Sequence, residues 1–174
     1  MIRRVKDEDA KELAEIYNYY IRKTEISLEL KEVSVSEYLD RIHRVTSFYP
    51  WLVYEEDGEI LGFAYLDKFN TREAYATTAD LSIYVNHKKK HKGIGKALYS
   101  EIEKLGLSLG ICKIISLITS TNRTSISFHK KMGFSKLCVI KDVAYKHGKW
   151  VGVSFLEKTI QAIYVPDFNK NNVK

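Results

Sequence analysis

The chain of 174 residues is 45% hydrophobic and 29% charged, and its 28 basic against 22 acidic residues give a formal net charge of +6. This is the ordinary size of one domain, too apolar for a disordered chain and too often interrupted by charge for a membrane protein. The positive excess suits a nucleic acid, an acidic surface or a phosphate-rich ligand.

The first residues, MIRRVKDEDAKEL, turn acidic and amphipathic at once, unlike a secretory signal. Asp7 is placed to cap a helix along which Ala10, Leu13, Ala14, Tyr17 and Ile21 recur at helical spacing. A second helix follows Ser34, which stands three residues before Glu37 as in a capping box; Tyr38, Leu39 and Ile42 form its apolar side. Pro50 closes the helical region. From Trp51 the pattern becomes that of a hairpin, WLVYEE and ILGFAYL joined through Asp57-Gly58. TREAYATTADLSIYV supplies another strand ending near Val85. From Gly93 a helix is predicted with Leu98, Ile102, Leu105 and Leu109 in one stripe and Gly110 as its stop. KIISLIT is a buried strand by its β-branched content. A short helix from Thr124 to Met132 ends at Gly133, and the strands VIKDVAYK and KWVGVSFL turn at His147-Gly148.

These elements predict an α/β protein of the α+β type: a mixed central sheet of about six to seven strands with helices on both faces. The Asp80–Val85 strand, the helix and the Lys113–Thr119 strand form a βαβ crossover, so those strands should run parallel. No repeat or linker divides the chain, which reads as one domain over residues 1–165 with a polar tail, 166–174. Cys112 in GICKII and Cys138 in KLCVI sit in apolar runs. They read as buried thiols of a reducing compartment, the cytoplasm. His43, His87, His91 and His147 have no metal-ligand spacing, and no metal is expected.

Residues 86–98, NHKKKHKGIGKAL, join a strand to a helix and carry lysines and histidines without an acid. A helix start presents unpaired amides and a partial positive charge, and glycine lets a phosphate approach them. This is an anion cradle suited to a pyrophosphate. The spacing matches neither a Walker A loop nor the dinucleotide fingerprint. The alternative is a solvated lysine loop whose glycines only shape a turn.

Downstream residues favour the cradle. Lys90-x-x-Gly93-x-Gly95 resembles the acetyl-CoA motif of the GNAT N-acetyltransferases, with lysine in its first place. TNRTSISFHKKMGF resembles a later motif of that superfamily through Asn122, Ser125, His129, Gly133 and Phe134. IYNYYI, YPWLV, FNTREAY, SIYV and YKHGKW are similar to phosphinothricin acetyltransferase-type proteins, over nearly the whole chain to about Glu157.

The resemblance implies a GNAT fold with acetyl-CoA bound where two parallel strands splay. The backbone of Ile83, Tyr84 and Val85 would pair with the pantetheine arm. Amides from Lys92 through Gly93, Ile94, Gly95 and Lys96 to Ala97 would hold the pyrophosphate, with Lys90 and its lysine neighbours at the 3′-phosphate. Asn122 would bond the pantetheine arm; its alternative is a turn residue after a strand.

Acyl transfer to an amine requires loss of a proton, and the thiolate leaving group can need one returned. Asp80 stands where the family has a glutamate base; a locally bonded strand-end carboxylate is the alternative. His129 stands where many members have a tyrosine acid and nearer relatives a histidine. Leu28, Glu29, Arg72 and Tyr75 would face the acceptor, Arg72 pairing with a carboxylate or phosphinate. Leu28 replaces the family's usual phenylalanine, and Gly152 stands where relatives usually have an acid.

The implied activity is acetyl-CoA-dependent N-acetylation of a small amino-acid-like amine of the phosphinothricin or methionine sulfoximine type. A homodimer would form through the C-terminal hairpin, with neither nucleic acid nor membrane as partner. The alternatives are another amine (polyamine, antibiotic or protein N-terminus), or a non-catalytic domain binding acyl-CoA or nucleic acid.

Overall fold

The computed structural model describes residues 1–89, 93–164 and 166. In chain order these form β1 (Ile2–Arg4), α1 (Ala10–Lys23), α2 (Val35–Thr46), β2 (Trp51–Glu56), β3 (Glu59–Lys68), β4 (Thr78–Val85), α3 (Ile94–Ser108), β5 (Lys113–Thr119), α4 (Arg123–Lys131), β6 (Ser135–Lys146) and β7 (Lys149–Thr159). One seven-stranded sheet runs β1-β2-β3-β4-β5-β7-β6, antiparallel except for the β4–β5 pair, as the crossover requires.

Helices cover both faces. On one, α1 and α2 bury Leu13, Tyr17, Ile21, Tyr38 and Ile42 against Trp51, Val53 and Phe63. On the other, Leu98 and Ile102 of α3 pack on Leu66, Ala79 and Ile114, and Phe128 of α4 and Met132 just past its end adjoin Phe134 in the same core. Each fully buried large side chain contributes about 1.5–3 kcal/mol over its exposed state. No helix among the described residues is long and apolar enough to cross a membrane.

Local chemistry explains most boundaries. Ser34 accepts from the Glu37 amide at 3.2 Å, and Glu37 Oε2 accepts from the Ser34 amide at 2.8 Å, completing the capping box. Asp57 and Gly58 both have positive φ, 51° and 78°, as do His147 and Gly148, 50° and 79°, which the tight hairpin turns demand.

Five expectations need correction. Asp7 does not cap α1: it opens a 3-10 turn, Asp7–Asp9, and its carboxylate lies 2.9 Å from His43, while Asp9 accepts from the Lys6 amide. The added strand, β1, exists through its antiparallel pairing with Leu52–Tyr54. Leu109 is exposed, because the buried stripe of α3 runs through Ile94, Leu98, Tyr99, Ile102 and Gly106. Cys112 is buried, but Cys138 is exposed on the edge strand β6, whose outer face no helix covers. Strand β6 also starts earlier than predicted, and Asp142 at φ 50° sits in its register shift between Ile140 and Ala144.

Candidate active site

Strands β4 and β5 pair only through Thr78–Asp80 and Lys113–Ile115. Beyond Asp80 they part: β4 stays in register with β3 up to Val85, while β5 stays with β7 up to Thr119. The β5-facing edge of Leu81–Val85 therefore has no ladder partner, and buried backbone groups need one. A cleft of about 500 Å³ opens there, lined by Ile83, Tyr84, Val85, Gly93, Gly95, Lys96, Asn122, Ser125 and His129. A smaller hollow of about 60 Å³ continues between the strands past Leu81, Ser82, Leu117 and Thr119.

The N-termini of α3 and α4 both meet this cleft. Gly93 stands before α3 at φ 103°, a left-handed conformation costly for a side chain, and no side chain caps the helix. The Ala97 amide donates to the Gly93 carbonyl at 2.9 Å. That bond starts the helical ladder, and the first-turn amides of Ile94, Gly95 and Lys96 have no backbone partner among the described residues. Gly95 faces Phe128, whose ring would lie 3.5 Å from an added Cβ. Lys89 is drawn off to Glu59, 2.5 Å away. Lys90 and Lys92 lie outside the described residues.

Asn122 caps α4: its Oδ1 accepts from the Ser125 amide at 3.1 Å. One turn on, His129 is buried, with Phe128 and Phe134 against its ring. Its Nδ1 lies 2.8 Å from the Ser125 carbonyl, which can only accept, so Nδ1 carries the hydrogen. Nε2 has no partner among the described residues. Burial holds the imidazole below its ordinary pKa, so the resting ring is a neutral acceptor at Nε2.

Asp80 approaches from the opposite face of the sheet, which it shares with Ser82, Tyr84 and the α1–α2 core. It lies in register with Asp67 on β3 and Ile115 on β5. Its Oδ1 is buried without a partner among the described residues, and burial, then the Asp67 charge, push its carboxyl up to about 7. The strands thus part between a carboxyl on one face and an imidazole on the other.

The other predicted acceptor residues are more scattered. Glu29 takes two bonds from Arg41, at 2.7 and 3.0 Å, and one from Tyr17 at 2.7 Å. Leu28 is part-exposed beside it. Arg72 is exposed where the β3–β4 connection enters the 3-10 turn Glu73–Tyr75, and Tyr75 packs edge-on against Phe69. Gly152 is crowded: a Cβ there would lie 3.0 Å from both the Ile140 carbonyl and Ser120 Oγ.

Sequence reasoning missed Tyr20 and Ile26, which line the cleft; the Tyr20 hydroxyl donates to the Val85 carbonyl. Their signal was the spacing of Tyr17 and Tyr20, one turn apart on α1. It also missed Lys146, buried with its ammonium donating to the Ser27 carbonyl at 2.5 Å. Among the described residues, no group of three or more His, Cys, Asp or Glu is arranged to hold a metal.

Residues 2–153 match the family described as acetyltransferase (GNAT) domain. A phosphinothricin N-acetyltransferase of Streptomyces viridochromogenes is 28% identical over 153 residues, covering 88% of this chain and 84% of the relative. An L-methionine sulfoximine/L-methionine sulfone acetyltransferase of Salmonella typhimurium is 27% identical over 160 residues, covering 91% of this chain and 94% of the relative. The solved structure of yncA from Salmonella typhimurium, with its cofactor acetyl-CoA, has a TM-score of 0.93 at 26% identity, covering 97% of this chain and 98% of that one.

Proposed function

This chain belongs to the acetyltransferase (GNAT) family, and we propose that it acetylates the amine of a small amino-acid-like acceptor, of the phosphinothricin or methionine sulfoximine kind. The observation that carries this reading is the parting of β4 and β5 just beyond Asp80.

The residues present fit acetyl-CoA. The unpaired edge of Leu81–Val85 offers backbone groups to the amides of a pantetheine arm, as an added strand would find them. The first amides of α3 and the open approach at Gly93 suit a pyrophosphate. Bound there, acetyl-CoA supplies an activated acyl group and a thiolate leaving group.

The protein's own groups handle protons at either end of that transfer. Asp80, a carboxyl poised near neutrality, accepts the proton that the acceptor amine must lose. His129, fixed through Nδ1 on the Ser125 carbonyl, lines the cleft, and its acceptor Nε2 would take up a proton and hand it to the sulfur end. Arg72, exposed just before β4, offers a guanidinium to the acceptor's carboxylate. The relatives acting on phosphinothricin and on methionine sulfoximine support an anionic amino-acid acceptor.

The exposed apolar side chains Leu137, Val143, Tyr145 and Trp150 on the terminal hairpin support pairing of two copies there, in the cytoplasm. The acceptor assignment is tested by kcat/KM for phosphinothricin, methionine sulfoximine and methionine sulfone against spermidine and a peptide N-terminus. A preference of about 100-fold or more for the amino-acid analogues, ~2.7 kcal/mol, is expected. Preference for spermidine would overturn it.

A further inference from the structure

We propose that Asp67, tied to Arg44, is a positioning residue that sets the protonation of Asp80. The inference rests on Asp80 being the base only for its kinetic consequence; the coupling itself stands on the sheet register.

Asp67 and Asp80 are directly opposite on β3 and β4, on the face packed by α1 and α2. Directly opposed residues of an antiparallel pair have Cβ atoms about 4.5–5.5 Å apart, so two like charges there repel. The pair is not symmetric. Arg44, from α2, lies 2.9 Å from Asp67 Oδ2 and 3.2 Å from Oδ1, and the Lys68 amide donates to Oδ1 at 2.8 Å. Asp80 Oδ1 has no partner among the described residues. Three donated contacts converge on Asp67, and burial together with the Asp67 charge favours the proton on Asp80.

The other groups facing Asp80 leave this balance to Arg44 and Asp67. Tyr65 of β3 and Ser82 of β4 are register partners on the same face, and burial keeps the Tyr65 phenol protonated. On β5, Ile115 is the register partner, and Lys113 two pairs along is ion-paired with Glu157 of β7. From the helices, Tyr17 and Tyr38 present phenols that burial keeps protonated.

The test is a carbon-13 carboxyl titration of Asp80 in the full chain, with a pH–kcat/KM profile alongside. Asp67→Asn should lower the Asp80 midpoint by about 1 pH unit, since a like charge at that distance is removed. Arg44→Gln should raise it, and Arg44→Lys should return it close to the wild-type value. Midpoints unchanged in both Asp67→Asn and Arg44→Gln would overturn the proposal. Should Asp67→Asn fail to fold, as judged by circular dichroism, the exposed Arg44 series carries the same test. A midpoint that moves while the rate profile stays fixed would uphold the coupling and reject Asp80 as the base.

Discussion

The Nδ1–H of His129 donates to the carbonyl of Ser125, four residues back on the same helix, at 2.8 Å. This bond fixes the tautomer, leaving Nε2, buried and without a partner among the described residues, as the acceptor atom of a ring that lines the cleft between β4 and β5.

Replacing that atom should cost turnover more than binding. His129→Ala is expected to lower kcat by about 10²-fold, the low end of what a positioned proton carrier contributes. The KM for acetyl-CoA should change little. Steady-state kinetics check this; loss confined to KM would make His129 a wall of the cleft.

Asp80 gives a pH dependence with a definite sign. In its proposed role as base it works ionised, so kcat/KM should fall as the pH drops below about 7, the value to which burial and Asp67 push its carboxyl. Asp80→Asn should abolish that limb together with most of the activity.

The same carboxyl bears on stability. Its folded pKa lies above its ordinary 3.8, so the folded chain holds the proton more tightly than the unfolded one. That contribution is fully present below the unfolded pKa and is lost as pH rises through about 7. Asp80→Asn should therefore raise Tm at pH 8, by about 3 °C for each kcal/mol recovered, and leave it nearly unchanged at pH 4. Thermal scans at the two pH values decide it.

Gly93 should combine strain with binding. At φ 103° an alanine costs about 1–2 kcal/mol. Because its amide neighbours form the first turn of α3, Gly93→Ala should also raise the KM for acetyl-CoA about tenfold, ~1.4 kcal/mol. Gly58→Ala, at φ 78° in the β2–β3 turn, supplies the control: similar destabilisation with that KM unchanged.

Lys146 ties the terminal hairpin to the loop between α1 and α2, and Lys149 adds a second tie to Glu25 at 2.9 Å. Lys146→Met keeps much of the volume but strands the Ser27 carbonyl, costing about 1–3 kcal/mol. Since that loop carries Leu28 and Ile26, the acceptor KM should rise as well. Denaturant melts and acceptor titrations read the two effects separately.

The fold was legible wherever a local rule sufficed. Ser34 and Glu37 marked a helix start, Asp57-Gly58 and His147-Gly148 marked hairpins, and the βαβ crossover implied the one parallel pair. Strand β1 was not, since Ile2–Arg4 takes its strand character from partners fifty residues away. For the site, Asn122, His129 and the glycines were visible through motif spacing. Asp67 and Lys146 were not, because register and long-range burial, rather than neighbours in sequence, bring them to Asp80 and Ser27.

The most direct measurement is a crystal structure of this chain with coenzyme A. The pantetheine arm should run along Ile83–Val85, the pyrophosphate should lie over Gly93–Lys96, and the sulfur should come within hydrogen-bonding reach of His129 Nε2. A ligand seated elsewhere, as in the groove of about 380 Å³ beside Arg4 and Phe48, with the parted strands left empty, would contradict the account.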